Sequence, residues 1–544
     1  MATGPTPQRA WRSACPNCGA PVDFASAAST SAVCSFCRST LLRDGDALKR
    51  IGQSAELFDD HSPLQLGVAG RWQGSAFTLV GRLQYGYEGG TWNEWHAFFD
   101  SGKSGWLSED NGRYVVAFDT PLQGDAPAAD ELHAGERRLV GGQAWNVASI
   151  TRAKLLAAQG ELPFAPRVDG GEFTVADLRN ELGEVGTLDD SGAADGKTGG
   201  SGTDDGRAAR VQWSVGRSVA LSELALSGLK EASEKTLGSR TVACPSCGAS
   251  LEPKLASTQS IVCQQCKSVV DLSQGPGAEL EHFAQTLGGE AHTPLIPLGR
   301  TGSLALGSPP RPWQVVGYLE RHDIPETADD ETSFWREYLL YNRSEGFVFL
   351  VDSIEGWSWA APVTGAPQVR GNAATWQGDS YRQRYRYGAT VVYVLGEFYW
   401  RVRRDETAGV TDYAGPAGKT LSREQSTNEV TWSAGAKLNA ALVADAFGIE
   451  PSKRAAFERD VAPTANALGS PGGGFAKGLV ILVVLMLLLG LFTMCSSGRD
   501  CTQVRATFGE ASSEYQQCLR NRSSGGFRGG GGSFGGYSSG GGHK

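Results

Sequence analysis

Eight of the eleven cysteines form two copies of one pattern that could bind a metal ion. In each copy, a Cys-x-x-Cys pair is followed by fifteen residues and then by a second pair. This is the spacing of a four-cysteine zinc site, because each short turn directs two sulfurs to one point and the intervening hairpin completes the tetrahedron. The sequence therefore predicts two structural Zn²⁺ sites, with ligands Cys15, Cys18, Cys34 and Cys37 in the first and Cys244, Cys247, Cys263 and Cys266 in the second.

Residues beside these cysteines fit the same prediction. Gly19 and Gly248 follow the second cysteine, where the chain must turn tightly and bring backbone N–H groups close to sulfur. Arg38 and Lys267 follow the fourth cysteine. They either compensate the negative charge of a four-thiolate zinc centre or are solvated surface charges.

Two acids, Glu94 and Glu337, are the second candidates for chemistry. They stand two residues after Trp92 and Trp335, at matched positions of a repeat. A carboxylate among aromatic residues could be a general acid with a perturbed pKa or part of a site for small cations. The alternative is an acid on the solvent face of an alternating strand, or one paired with an arginine such as Arg82. No histidine is matched beside both acids, so the pattern identifies no catalytic residues and an enzyme stays an open alternative.

The elements that carry these residues are repeated as well, because a β-rich unit follows each cysteine pattern. The shared runs are short, β-branched or aromatic, and bounded by glycine, which is typical of strands. They predict a mainly β (α+β) fold with two mostly antiparallel, sandwich- or barrel-like domains. The best helical candidates are 153–159 and 436–447. The matched runs are 77–83 with 313–319, 92–95 with 335–338, 105–107 with 346–348, 140–142 with 395–397, 145–147 with 400–402, and 211–216 with 430–435.

Composition sets the expected domain boundaries. The Gly- and Asp-rich stretch 189–206 has no counterpart in the second unit and is predicted to be an inserted loop. Half of the residues in 523–544 are glycine, which predicts a disordered tail. The expected order is zinc ribbon 11–42, β-rich domain 62–226, zinc ribbon 240–272, β-rich domain 293–447, transmembrane helix 478–495 and the tail.

The membrane prediction rests on one apolar run. Residues 478–495, GLVILVVLMLLLGLFTMC, carry no charge. As a helix they would cover roughly 27 Å of a hydrocarbon core that is roughly 30 Å thick. A single span in the cell membrane is therefore expected, with a buried core helix as the alternative.

The chemistry of the cysteines predicts which end of this span faces the cytoplasm. Zinc thiolates require a reducing compartment, so the bulk of the chain is expected to be cytoplasmic and the C-terminal tail outside. On the oxidising side, Cys501 and Cys518 could form a disulfide. If both thiols are free and the tail is cytosolic, the apolar run is instead a re-entrant hairpin or a core helix.

Net charge bears on the partners. The chain carries a formal charge of −9, whereas contact with nucleic-acid phosphates requires a basic face. Nucleic acid is therefore not expected as a partner. The ribbons are expected to be structural or to dock proteins.

Several motifs resemble the bacterial family known as domain of unknown function 4178 (DUF4178). In the first unit they are the ribbon, Ser62-Pro63-Leu64, Val80-Gly81-Arg82 and the run 92–95. In the second unit, the family's W-x-E-Y core appears at 335–338 and its tryptophan-serine end motif at 432–433. Trp95 replaces the tyrosine in the first copy. The resemblance implies a membrane-associated role, because relatives occur in gene neighbourhoods with phage-shock-type membrane-stress proteins and aminopropyltransferase-like proteins.

Two hypotheses follow. The first is a membrane-tethered adaptor of the cell envelope, in which two ribbon-plus-β modules on the cytosolic face bind proteins or sense the state of the envelope. The second is an enzyme, or a binder of small cationic ligands such as polyamines, that uses Glu94, Glu337, Trp92 and Trp335.

Overall fold

The fold is described from a computed structural model of the chain. The structure describes residues 11–459 except for gaps at 25–28, 45–46, 55–61, 89, 111–112, 123–126, 167–170, 192–210, 231–240, 256–257, 273–279, 286–291, 326–331, 344 and 404–405. The expected apolar span 478–495, the tail 523–544, Cys501, Cys518 and most of the loop 189–206 therefore lie outside the described residues. Among the helices of the described residues, none has the length and apolar character needed to cross a membrane.

Each module begins with a small ribbon that carries the cysteines. The first hairpin of each ribbon forms its own two-stranded sheet, and the second hairpin joins a larger sheet. The strands of the first ribbon are β1 Trp11–Ala14, β2 Pro21–Phe24, β3 Ser31–Val33, β4 Ser39–Asp44 and β5 Ala47–Gln53.

The first ribbon is followed by a closed barrel. Its strands are β6 Ala69–Trp72, β7 Ser75–Tyr87, β8 Gly90–Phe99, β9 Ser104–Asp110, β10 Arg113–Asp119, β11 Arg137–Val140, β12 Gln143–Leu162, β13 Phe173–Arg179, β14 Glu184–Asp189 and β15 Gln212–Val219. Two antiparallel meanders, β7 to β10 and β12 to β15, form the wall. Their first strands pair with each other, as do their last strands, so the eight strands close a ring without an edge.

The second module repeats this arrangement. The second ribbon contains β16 Val242–Ala243, β17 Ser250–Leu251, β18 Ser260–Val262, β19 Val269–Asp271 and β20 His282–Phe283. Its barrel contains β21 Thr301–Leu304, β22 Arg311–Ile324, β23 Phe334–Asn342, β24 Gly346–Ser353, β25 Gly356–Val363, β26 Gln368–Arg370, β27 Ala373–Trp376, β28 Asp379–Phe398, β29 Thr407–Ala414, β30 Lys419–Gln425 and β31 Val430–Leu438. Here β22 to β25 and β28 to β31 are the two meanders, and the pairs β22–β28 and β25–β31 close the ring.

One long strand in each module joins the ribbon to the barrel. Both β12 and β28 are twenty residues long, and their C-terminal ends pair with the ribbon strands β3 and β18. Gly160 and Gly396 lie where these strands pass close to a neighbour. A Cβ at either position would approach the carbonyl oxygen of Val80 or Val316 to 2.3 Å, and both glycines have positive φ. The ribbon is thus continuous with the barrel wall.

One predicted helix is wrong. Residues 153–159, AKLLAAQ, have high helix propensity but lie inside β12. This strand pairs with β13 and β7, and the backbone hydrogen bonds to two neighbours outweigh local propensity. The second candidate, 436–447, is helical in part: β31 continues to Leu438, and helix α1 covers Ala440–Ala446. The described 3₁₀ helices are Ala129–Glu131, Leu221–Leu224, Pro416–Gly418 and Pro451–Phe457.

Two parts of the predicted alignment are also wrong. Gly396 pairs with Gly317 as Gly160 pairs with Gly81, so Gly396 corresponds to Gly160 and the matches of 140–142 with 395–397 and of 145–147 with 400–402 fail. The second error lies in the first meander. Trp95 lies opposite Leu107, and its counterpart Tyr338 lies opposite Leu350. Leu107 therefore corresponds to Leu350 and not to Val348, so the match of 105–107 with 346–348 is shifted by two residues. A shift of two keeps every side chain on the same face of the strand, which is why alternation could not reveal it.

Candidate metal centres and buried acidic residues

The four cysteines of each ribbon converge on one point. In both clusters all ligand sulfurs lie within 4.8 Å of one another. The Sγ–Sγ distances are 3.6 Å for Cys15–Cys37, 3.7 Å for Cys18–Cys34, 3.7 Å for Cys244–Cys266 and 3.7 Å for Cys247–Cys263. A tetrahedron with metal–sulfur bonds of about 2.3 Å has edges of about 3.8 Å. Each cluster could therefore hold one tetrahedral metal ion.

The turns that aim the sulfurs depend on left-handed backbone. Gly19 and Gly248 have φ of 76° and 75°, as expected for the residue after a cysteine pair. Arg38 and Lys267 occupy the same place in the second turns and also have positive φ, at 59°. Their backbone N–H groups donate to the carbonyl oxygens of Cys34 and Cys263. The two basic residues thus have a backbone role in the turn, in addition to any role of their charge.

Two serines next to the clusters were not identified from the sequence. Ser39 Oγ lies 3.2 Å from Cys37 Sγ, and Ser268 Oγ lies 3.4 Å from Cys266 Sγ. These hydroxyls, with backbone donors, lower the pKa of Cys37 to about 5 and that of Cys266 to about 6. They favour the thiolate that a metal requires. The signal in the sequence was the repeated Cys-Arg/Lys-Ser.

The second candidate group lies inside the second barrel. Arg321 on β22 donates through Nη1 to Glu337 Oε1 on β23 (3.3 Å) and to Glu424 Oε1 on β30 (2.8 Å). Since β22 and β30 are not neighbours in the ring, these side chains meet in the lumen. Trp335 Nε1 also donates to Glu337 Oε1 (2.7 Å). Glu337 is 0% exposed and Arg321 1% exposed.

Burial and charge act together on this group. Burial raises the pKa of Glu337 to about 7, and the negative charge of Glu424 adds to the effect against the opposing influence of Arg321. For Arg321, burial lowers the pKa, but the charges of Glu424 and Glu337 outweigh burial and raise it overall. The guanidinium of Arg321 thus contacts two buried carboxylates.

The first barrel places Glu94 differently. Glu94 lies in the register of Glu337 and is buried, so the solvent-face interpretation is wrong for both acids. Ser108 Oγ donates to Glu94 Oε2 (2.6 Å) and Trp92 Nε1 to Oε1 (3.3 Å). Tyr85 stands in the place of Arg321 and stacks on Trp92 with ring centroids 5.0 Å apart. Burial and the charge of Glu94 raise the pKa of Tyr85.

The predicted arginine partner, Arg82, is also buried. Its Nε and Nη2 donate to Asn93 Oδ1 at 3.1 and 2.8 Å. Its guanidinium lies 4.8 Å from the centre of the Trp95 ring. Arginine pairing, the alternative considered for both acids, is found for Glu337, which Arg321 contacts in the second barrel.

Another matched pair of acids was missed. Glu109 and Asp352 each stand fifteen residues after Glu94 and Glu337, and both are buried. Glu109 accepts hydrogen bonds from Ser62, Trp95 and Tyr114. Burial raises the pKa of Asp352, with its ion pair to Arg459 opposing that effect. Counting the repeat offset from Glu94 and Glu337 would have found them.

Comparison with known families agrees with the duplicated fold. The sequence profile of DUF4178, a domain of unknown function, matches residues 65–219 and 310–440, one match on each barrel. The chain belongs to the DUF4178 family. The resemblance drawn from the motifs is therefore confirmed, with a four-cysteine cluster before each DUF4178 copy. No match was found among curated proteins or among solved structures.

Proposed function

We propose that this DUF4178 protein is a membrane-anchored adaptor of the bacterial cell envelope, whose two zinc-stabilised modules bind other proteins on the cytoplasmic side. The main support is an exposed aromatic residue on the first ribbon. Phe36, at the tip of a cysteine turn, is 72% exposed. The ribbon that carries it is paired directly to the barrel wall, so an exposed aromatic side chain is held on a rigid support.

The edge of the same ribbon adds to this support. Strand β5 is almost wholly exposed and stands at the end of the described sheet, pairing with β4. An exposed edge strand offers backbone N–H and C=O groups to an extended partner segment. The second ribbon has a two-residue strand, β20, in this place and Gln265 in the place of Phe36. The first ribbon is therefore the better candidate for protein docking.

Zinc is the metal we propose for both clusters. Four thiolates at tetrahedral spacing favour zinc, which needs no further ligand in a structural site. The bound metal would fix the turns that present Phe36. Nucleic acid is not proposed as a partner, because the chain has a net charge of −9.

Site-specific photo-crosslinking tests the adaptor role. A photo-reactive phenylalanine analogue would replace Phe36 in the full chain, with the same replacement at Gln265 as the matched control. After irradiation in cells and extraction of membranes with detergent, we expect one reproducible protein adduct at position 36 and none at 265. The same adducts at both positions, or none at 36, would contradict docking at this ribbon.

The membrane anchor is tested separately. Intact cells would be treated with a membrane-impermeant thiol reagent, before and after reduction. Labelling of Cys501 and Cys518 only after reduction would support a tail outside the membrane that carries a disulfide. If these cysteines react only after lysis, the proposed topology is wrong.

The alternative function is an enzyme or a binder of small cations such as polyamines, acting through Glu94, Glu337, Trp92 and Trp335. It has less support, because both acids are buried in the barrels and each accepts a hydrogen bond from its own tryptophan. Thermal unfolding with added spermidine tests it. A rise in melting temperature that is lost in Glu337→Gln would favour this alternative.

A further inference from the structure

In the lumen of the second barrel, two buried carboxylates contact the same guanidinium. Glu337 and Glu424 share the single guanidinium of Arg321, and all three side chains are buried. Further along the lumen, the buried Asp412 accepts a hydrogen bond from Tyr387, whose ring packs edge-on against Trp335. Two buried carboxylates that share one cation repel each other, which is costly in a medium of low dielectric constant. The group therefore favours uptake of positive charge.

The hydrogen bonds show which oxygen is left without support. Both Arg321 and Trp335 donate to Oε1 of Glu337. Within the described residues, Oε2 of Glu337 is buried and has no hydrogen-bond partner. An ionised carboxylate carries charge on both oxygens, so the unsupported Oε2 disfavours the ionised form. Glu424 lies closer to Arg321 than Glu337 does, which makes Glu424 the better candidate for the permanent ion pair.

The first barrel shows what supplies the missing donor. Ser108 lies directly opposite Glu94 and donates to its Oε2 at 2.6 Å. In the second barrel, the residue opposite Glu337 is Val351, whose side chain has no hydrogen-bond donor. The two barrels thus hold matched acids in different hydrogen-bonding environments.

We propose that Glu337 binds one proton inside the second barrel near neutral pH, and that this proton couples the stability of the barrel to pH. The groups that face Glu337 are Arg321 from β22, Glu424 from β30, Trp335 from its own strand and the apolar Val351 from β24. A proton neutralises Glu337 without placing a metal cation beside the positive charge of Arg321. Binding converts the carboxylate to a neutral carboxylic acid, and no other bond changes.

The direction of the pH effect follows from the pKa of Glu337. Its ordinary value of 4.5 applies to the unfolded chain, and burial raises it to about 7 in the folded barrel. Between these values the folded state holds the proton and the unfolded state does not. The contribution of Glu337 to the stability of the folded barrel is fully present below pH 4.5, and it is lost as the pH rises through about 7. Between pH 6 and pH 8, the folded-to-unfolded ratio should fall about tenfold through this group alone.

Hydrogen exchange of the zinc-loaded full chain in detergent tests the proposal. Peptides from β23 report the opening of the second barrel, and peptides from β8 report the first. Relative to Glu337→Gln, wild-type β23 should lose about tenfold protection from pH 6 to pH 8. The peptides from β8 should respond alike in both proteins. If β23 has the same pH dependence in wild type and in Glu337→Gln, the proposal is wrong.

A second variant separates proton binding from a merely structural role. Val351→Thr adds a hydroxyl of matching shape opposite Glu337, as Ser108 provides for Glu94. A donor to Oε2 stabilises the ionised form, so the midpoint of the pH dependence should move to lower pH. An unchanged midpoint would count against the proposal. So would a calcium- or magnesium-induced gain in protection that Glu337→Gln abolishes, since the positive charge would then come from a metal ion.

Discussion

The two barrels have the same strand order and the same buried tryptophan–glutamate pair, but they differ in what faces the acid. In the first barrel, Glu94 accepts a hydrogen bond from Ser108, and Tyr85 stacks on the neighbouring Trp92. In the second, Glu337 accepts a hydrogen bond from Arg321 and lies opposite Val351 on the neighbouring strand. The shared scaffold thus fixes where the carboxylate lies, while one or two facing residues decide its electrostatic environment. A duplicated fold can therefore keep a site and change its chemistry by few substitutions.

The two ribbons show the same division between shared interior and different surface. Their cysteines, positive-φ turns and adjacent serines agree closely. They differ at the surface, where the first ribbon has Phe36 and the seven-residue β5, and the second has Gln265 and the two-residue β20. Metal binding restricts the interior of a ribbon but leaves its exposed residues free to diverge.

The largest expected effect comes from removing a metal ligand. Cys18→Ser and Cys247→Ser should each lose one zinc ion and unfold only their own ribbon. Structural zinc contributes ~10 to 16 kcal/mol of binding free energy that is coupled to folding. Metal analysis and hydrogen exchange of ribbon peptides measure both effects. Loss of both ions from one variant, or less than one zinc per wild-type chain, would break the comparison of two independent ribbons.

The next effect comes from the buried tryptophans. Trp92→Ala and Trp335→Ala should each lower the free energy of unfolding of their barrel by ~3 to 5 kcal/mol, because both side chains are buried. Trp335→Phe should lower the free energy of unfolding more than Trp92→Phe does, because Trp335 donates to Glu337 at 2.7 Å whereas Trp92 donates to Glu94 at 3.3 Å. Denaturant-dependent hydrogen exchange in β8 and β23 measures this difference. Equal costs for the two phenylalanine variants would contradict it.

A smaller effect is expected where the long strands meet the barrel. Gly160→Ala and Gly396→Ala should each destabilise their module by ~1 to 3 kcal/mol, because the new Cβ would press on a backbone carbonyl. Gly183 also has positive φ but has open space around it, so Gly183→Ala is the control for backbone strain alone. Thermal unfolding can rank the three. A control as damaging as the other two would show that close approach is not the cause.

The smallest effect is expected at the serines. Ser39→Ala and Ser268→Ala remove a hydroxyl next to a metal-binding sulfur but leave all four ligands. Each should weaken zinc binding by about tenfold at one site. Competition with a zinc chelator at fixed pH measures this change. Affinities equal to wild type would show that backbone donors alone support the thiolates.

The sequence by itself determined the features that depend on short-range geometry. The spacing of Cys15, Cys18, Cys34 and Cys37 was enough to predict which residues converge, because a cysteine turn is fixed by a few consecutive residues. Short alternating runs between glycines predicted a mainly β protein, and the barrel is one of the two forms expected. The repeat also paired Trp92 with Trp335 correctly in register.

Only the tertiary structure decided the features that depend on distant partners. Alternation shows that a strand has two faces but not which face is inside, so the burial of Glu94 and Glu337 could not be read from it. The strand at 153–159 follows from pairing with β7 and β13 against local helix propensity. Arg321 and Glu424 are 103 residues apart in the chain and meet only because the ring of strands closes. Barrel closure is a long-range property, and for that reason the chemistry of the lumen was hidden from the sequence.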